Sequence, residues 1–155
     1  MSRRNRWMTV VPILVCGVTL AGCKPASVKA TENKPAHVEP IAGTELHKVT
    51  LTARAAERLD IKTAAVRQAQ VMRQVRAGRS ASQRMVVPYS AVLYDARGET
   101  WVYTSPEPLV FIRHRIVIDY IDGDQAVLSD GPPLGTLVVT VGGAELFGAE
   151  FEIGH

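Results

Sequence analysis

The sequence predicts a mainly β protein: a single compact domain with one short helix, preceded by a signal peptide and a disordered tether. Short segments rich in Val, Ile and aromatic residues recur through the second half of the chain. Gly, Pro and Asp separate them, as is typical of strands and turns. No long helical or heptad pattern competes with them. The 155 residues, 46% of them hydrophobic, suffice for one folded domain with an anchor and a linker.

The N-terminus has the pattern of a secretory signal peptide. MSRRNR is basic, and the apolar run that follows, WMTVVPILVCGVTLAG, is shorter than the roughly 20 residues of a membrane-spanning helix. The run ends in Leu20-Ala21-Gly22-Cys23, which resembles the lipobox of bacterial lipoproteins. That resemblance implies removal of residues 1–22 and lipidation of Cys23, with a plain signal peptide as the alternative. The covalent lipid on Cys23 is the only non-protein group that we expect.

Residues 23–45 are predicted to form a flexible tether, because they contain Pro25, Pro35 and Pro40 and almost no large apolar side chain. The protein would then lie on the periplasmic side of the cell envelope, held by its lipid to the inner or the outer membrane. Three of the 18 Lys and Arg residues leave with the signal peptide, so 15 remain against 15 Asp and Glu. This balance argues against nucleic acid as a partner.

The folded domain is predicted to span residues 46–147, followed by a C-terminal tail at 148–155. HKVTLT alternates apolar and polar residues as a half-buried strand does. TARAAERLD, with Thr52 as N-cap, fits a helix of about two turns. The next segment, up to Gly78, is interpreted as extended, with a helix as the alternative.

The remaining segments have clearer strand patterns. VVPYSAVLYDARGETWVYT contains apolar stretches around a turn at Asp95–Gly98. LVFIRHRIVID is the longest predicted strand. We expect its even-numbered residues from Val110 to Ile118, His114 among them, on one face and Arg113 on the other. QAVLS and LVVTV follow as strands, and GGAELFGAEF as a short helix or a turn.

The order of these segments resembles the membrane-proximal domain of periplasmic adaptor subunits, the membrane fusion proteins of resistance-nodulation-division efflux systems. The resemblance lies in VVPYSAVLYDARGETWVYTSPEPLVFIRHRIVI and DGDQAVLSDGPPLGTLVVTVGGAEL, and LTARAAERLDIKTAAVRQA is similar to the lead-in of the same domain. It covers residues 46–147 and implies a β-barrel-like fold. It also implies a non-enzymatic accessory module of an efflux complex, whose partner is a transporter or a full-length adaptor.

The chain departs from a full adaptor in one large respect. Only about 15 residues separate Val71 from Val86, where an adaptor has a lipoyl-like domain, a long helical hairpin and a β-barrel. The closing motif also differs, since Gly131-Pro132 and Gly135-Thr136 replace the usual Gly-Leu and Gly-Asp. We therefore expect a stand-alone membrane-proximal domain on a lipid tether.

A periplasmic metal-binding protein is the alternative function. The thioethers of Met72 and Met85, together with His114 or His47, are candidate ligands for Cu(I) or Ag(I), because soft ligands favour soft ions. Filling gaps in the core is the other role open to these methionines.

A basic segment supplies the candidate partner-binding residues. Arg73, Arg76 and Arg79 lie between Arg67 and Arg84 and could face an acidic partner or anionic lipid; an ordinary solvated face is the alternative. The chain has no G-x-S-x-G elbow, no phosphate-binding glycine loop and no complete calcium loop. We therefore expect no catalytic residues and no enzymatic activity. A lipoprotein that binds a small molecule is a third, more distant option.

Overall fold

The computed structural model describes residues 34–75 and 78–152, which form ten strands and two α-helices. The strands are β1 (Ala36–Pro40), β2 (His47–Leu51), β3 (Lys62–Ala65), β4 (Arg67–Val75), β5 (Gly78–Pro88), β6 (Leu93–Tyr94), β7 (Thr100–Glu107), β8 (Val110–Asp122), β9 (Gln125–Asp130) and β10 (Leu137–Val141). The helices are α1 (Ala53–Arg58) and α2 (Gly143–Glu152), and Tyr89–Ala91 form one turn of 3₁₀ helix. The predicted fold class, mainly β, is confirmed.

A curled antiparallel sheet contains these strands, and β8 joins its two halves. The main order is β3-β10-β7-β8-β9-β5-β4, with β6 beside β7 and the β1–β2 pair beside β8. The first half of β8 pairs with both β7 and β2, and its second half pairs with β9. The curl of the sheet into a half-barrel agrees with the predicted β-barrel-like domain.

Local sequence explains the first helix and the turn before β7. Thr52 is the N-cap of α1, and its hydroxyl accepts a hydrogen bond from the N–H of Ala55 at 3.2 Å, as predicted. The carbonyl of Asp95 accepts from the N–H of Gly98, which has a φ of 79° that glycine adopts without strain. Residues 62–75 are extended in β3 and β4, so the strand interpretation is confirmed there and the helical alternative is wrong.

The folded domain begins earlier than predicted. β1 lies inside the segment 23–45, whose composition predicts a tether, and it pairs with β2 along its whole length. Ala36 is buried and Val38 packs against the core, so the strand covers apolar surface. Pro40 is tolerated because it stands at the end of the strand. The domain therefore starts at β1, and the predicted boundary at residue 46 is wrong.

The C-terminal boundary also needs correction. α2 continues to Glu152, so it includes the first part of the segment 148–155 that was predicted to be a tail. Leu146 and Glu150 are both buried. Four residues apart, they lie on one face of the helix and hold α2 against the sheet.

The apolar core forms two main clusters and a small third one. The first includes residues of both helices and contains Val49, Leu51, Ala55, Tyr103, Phe111 and Leu146. The second contains Val87, Val102, Ile116, Leu128 and Val138. The third, which lies at the base of the β4–β5 hairpin, contains Val71, Val86 and Val127, with Tyr120 packed against them.

β8 is buried on different faces in its two halves, so the predicted face assignment is wrong in part. Phe111 and Arg113 are buried in the half that α2 covers, whereas His114 is exposed. Ile116 is buried in the second cluster, as predicted. The ladder with β7 is regular from Ile112 to Ile116, so the side chains of β8 keep alternating there, and the buried face changes because α2 covers one face and the second cluster covers the other.

Candidate functional site

The long β4–β5 hairpin carries the candidate partner-binding residues. Its ladder joins β4 to β5 from Arg67 to Val75. β9 pairs only with Met85–Pro88 of β5. Within the described residues, β5 therefore has no second neighbour over 78–84, and β4 has none along its length. The hairpin extends beyond the sheet as a two-stranded ribbon, with backbone N–H and C=O groups open on both edges. We call it the open ribbon.

Basic side chains lie along the open ribbon. Arg73 and Arg84 both donate hydrogen bonds to Oδ2 of Asp119, at 3.3 and 2.9 Å. The guanidinium of Arg73 also lies 5.3 Å from the ring centre of Tyr120. The Arg73 side chain is 54% exposed, and Arg67 is exposed as well. Because Arg73 and Arg84 share the single carboxylate of Asp119, this group of three side chains has a net positive charge.

The structure describes the other predicted residues only in part. Arg79 lies opposite Gln74 in the ladder, whereas Arg76 falls outside the described residues. Cys23, the predicted lipidation site, falls outside them too. Neither helix of the described chain is long and apolar enough to cross a membrane.

The candidate metal ligands are not brought together. Met72 pairs with Ala81 and Met85 with Gln68, so the methionines lie four positions apart along the ladder, about 13 Å at 3.3 Å per residue. Met72 is 52% exposed, whereas Met85 packs against the second core cluster. His114 is exposed on β8. Over residues 34–75 and 78–152, no group of three or more His, Cys, Asp or Glu side chains is placed to hold a metal ion.

A buried polar cluster that the sequence did not predict lies under α2. The carboxylate of Glu150 accepts hydrogen bonds from Nε of Arg113, at 2.9 and 3.0 Å, and from the hydroxyl of Tyr103. Its Oε1 lies 3.4 Å from Nδ1 of His47. The side chains of Arg113 and Glu150 are 7% and 0% exposed. Burial, and then the hydrogen bond to Glu150, raises the pKa of Tyr103 far above its ordinary value, so the phenol stays neutral and donates.

Aromatic rings surround the guanidinium of Arg113. Its central carbon lies 4.5 Å from the ring centre of Trp101, 4.9 Å from that of Phe151 and 5.8 Å from that of Phe147. These distances fall in the cation–π range. A charged side chain can therefore be buried here, because Glu150 neutralises it and the rings of α2 and β7 cover it.

The turn before β7 fixes the position of Trp101. Oδ1 of Asp95 accepts from the backbone N–H groups of Arg97 and Glu99, both at 2.9 Å, and Oδ2 accepts from Nε1 of Trp101 at 3.2 Å. Burial raises the pKa of Asp95, but the hydrogen bonds from Glu99, Trp101 and Arg97 outweigh that effect and hold the pKa below its ordinary value. The ionised carboxylate thus orients the indole beside Arg113.

Two sequence signals point weakly to this cluster. Arg113 interrupts an otherwise apolar strand, and GAELFGAEFE places Phe147 and Phe151 four residues apart, on one face of a helix, with Glu150 next to Phe151. Neither signal indicates that the strand and the helix meet, so only the tertiary structure identifies the cluster.

No protein-family model matches the chain, and no curated protein matches it either. Its function must therefore be inferred from the geometry of the described residues and from the motifs in the sequence.

Proposed function

We propose that the protein is a non-enzymatic, lipid-anchored periplasmic module that binds a subunit of an efflux-type transport complex. The observation that carries the proposal is the open ribbon. The lipobox-like sequence that ends at Cys23 would supply the anchor. The partner would be an efflux transporter or a full-length adaptor, as the resemblance to the adaptor domain suggests.

An open sheet edge favours binding by strand addition. β4 offers nine residues of backbone that have no neighbour on the outer side among residues 34–75 and 78–152, enough for a partner segment of similar length to pair along it. The opposite edge strand, β3, has only four residues. A two-stranded ribbon is also marginally stable by itself, so a third strand would stabilise it.

Charge supports an acidic partner over a second copy of this chain. Arg67 and Arg73 both lie on β4, and Arg84 lies beside them on β5. Two copies paired along β4 would bring their arginines close together, and like charges on neighbouring strands destabilise the pairing. An acidic, extended segment of another protein would instead be attracted. We therefore expect the partner strand to carry Asp or Glu residues.

Photocrosslinking in cells tests the proposal. A photoreactive amino acid in place of Gln70, an exposed position in β4, should crosslink to a subunit of an envelope transport complex that mass spectrometry identifies. Arg67→Glu with Arg73→Glu should weaken the interaction about 30-fold, if each exposed charge contributes about 1 kcal/mol. Added salt should weaken it as well, because the Debye length is only about 8 Å at physiological ionic strength.

Arg54→Glu is the matched control, because it reverses one exposed charge on α1 rather than on the ribbon. It should leave the crosslink unchanged. The proposal fails if Arg54→Glu weakens the crosslink as much as the ribbon variants do. It also fails if Gln70 crosslinks only to a second copy of this chain or to proteins unrelated to transport.

A further inference from the structure

A cleft of about 600 Å³ opens between α2 and the turn at Asp95–Gly98. Its lining includes Glu45, Arg97, Glu99, Trp101, Arg113 and Phe151. A concave site of this size, with aromatic walls and a few polar groups, is typical of sites that bind small molecules. The open ribbon contributes no residue to this lining, so the cleft is a separate feature of the domain.

Arg113 has more hydrogen-bond donors than its protein partners use. Nε donates to Glu150, whereas Nη1 and Nη2 make no hydrogen bond to the described residues. Among the described side chains, only the hydroxyl of Tyr120 is both fully enclosed and without a partner. The Nη nitrogens of Arg113 are therefore not enclosed. Arg113 is a lining residue of the cleft, and its Nη edge is the part of the guanidinium that has no partner among the described residues.

We propose that this cleft binds a small monocarboxylate with an aromatic or apolar body. The free edge of a guanidinium presents two parallel N–H groups that match the two oxygens of a carboxylate. Trp101 and Phe151 flank Arg113, so an apolar body attached to the carboxylate packs against their rings. Because Arg113 is buried and held by Glu150, its edge is oriented before the ligand arrives.

The rim of the cleft restricts the charge of the ligand. Glu150 already neutralises Arg113, and Glu45, Asp95 and Glu99 carry negative charge beside Arg97. A dianion such as phosphate is repelled by these carboxylates more strongly than a monoanion is. Phosphate also lacks an apolar body that could cover the aromatic walls. Arg115, which pairs with Glu99 at 2.8 Å, offsets one of these negative charges. Among anions, the cleft therefore favours an organic monoanion over a dianion.

An NMR titration of the full chain tests the site. The chain has two tryptophans, so Trp101 is the only indole once residues 1–22 are removed, and Trp7→Phe gives the same single indole in the unprocessed chain. Phenylacetate is the probe, and its uncharged isostere phenylacetamide is the control ligand. Phenylacetate should shift the Nε1–H resonance of Trp101 and the Nε–H resonance of Arg113 saturably, with a Kd on the order of 1 mM for so small a ligand.

Phenylacetamide should bind at least about ten-fold more weakly, because it lacks the charge that strengthens hydrogen bonds to arginine. Equal affinity for the acid and the amide would overturn the proposal. So would the absence of a saturable shift with phenylacetate, or tighter binding of inorganic phosphate.

Two variants locate the bound probe. Arg113→Lys keeps the positive charge near Glu150 but lacks the planar edge, and should weaken phenylacetate binding about ten-fold. Phe151→Ala should weaken it several-fold. Because Phe151 is 48% exposed, the fold should tolerate that change even if it does not tolerate Arg113→Lys.

Leu134→Ala is the matched control, since Leu134 is an apolar side chain of similar exposure, 52%, that does not line the cleft. It should leave the Kd unchanged. If Phe151→Ala has no effect, or if Leu134→Ala weakens binding equally, phenylacetate binds elsewhere and the proposal is wrong.

Discussion

Replacing Arg113 with methionine leaves the carboxylate of Glu150 buried without its cation. The Glu150 side chain is 0% exposed, so water cannot readily take the place of the guanidinium. The hydrogen bond from Tyr103 and the contact with His47 remain, but neither restores a permanent positive charge. Removal of one partner of a buried ion pair costs about 3–5 kcal/mol. We expect the free energy of unfolding to fall by an amount in this range, because methionine also lacks the cation–π contact that the guanidinium makes with Trp101.

A second variant shows whether the charges are coupled. Arg113→Met with Glu150→Leu removes both charges. Replacing a whole buried ion pair with apolar side chains often changes the free energy of unfolding only slightly. The double variant should therefore be at least about 2 kcal/mol more stable than Arg113→Met alone. Urea unfolding followed by circular dichroism measures the free energies, provided that the m values agree. A cost below about 1 kcal/mol for Arg113→Met, or simple additivity in the double variant, would refute the view that the pair is desolvated and coupled.

Three further changes test other features. Cys23→Ala should move the protein from the membrane fraction to the soluble fraction and abolish incorporation of labelled palmitate. Met72→Leu with Met85→Leu should leave Ag(I) binding unchanged, since the thioethers lie too far apart to share an ion; loss of tight stoichiometric binding would instead support the metal function. Asp95→Asn should reduce the acid-induced loss of stability, measured by unfolding at several pH values. Because its pKa is lowered, Asp95 stabilises the fold above about pH 4, and this contribution is lost as the pH falls further.

Elements that depend on neighbouring residues could be predicted from the sequence. Thr52 caps α1 because its hydroxyl needs only an N–H three residues later. The turn at Asp95–Gly98 needs only an acceptor and a residue that tolerates positive φ. The alternation in HKVTLT predicts β2 because one face of that strand meets the core. By contrast, β1 forms because β2 offers it a pairing edge, and its own composition does not contain that information.

The polar cluster under α2 depends on residues that are distant in the sequence. Alternation along β8 assigns Arg113 to the solvent face, and that assignment fails because α2 covers this face. Glu150 lies 37 residues after Arg113, so no local pattern links the two. His114 is exposed for the same reason. Its apolar neighbours in the sequence predict that its face of β8 is buried, but α2 covers the opposite face of this half of the strand.

β8 also determines when the domain can be completed during folding. β2, near the start of the domain, pairs with β8, and β3 pairs with β10. α2, which closes over Arg113, is the last element of the described chain. Pairing between distant segments slows folding, because large loops must close before the new contacts compensate for the lost chain entropy. β1 and β2 can pair with each other early, but the second edge of β2 and the whole of β3 have no partner until β8 and β10 are available. During that interval their unpaired edges are open to proteolysis and to wrong pairing.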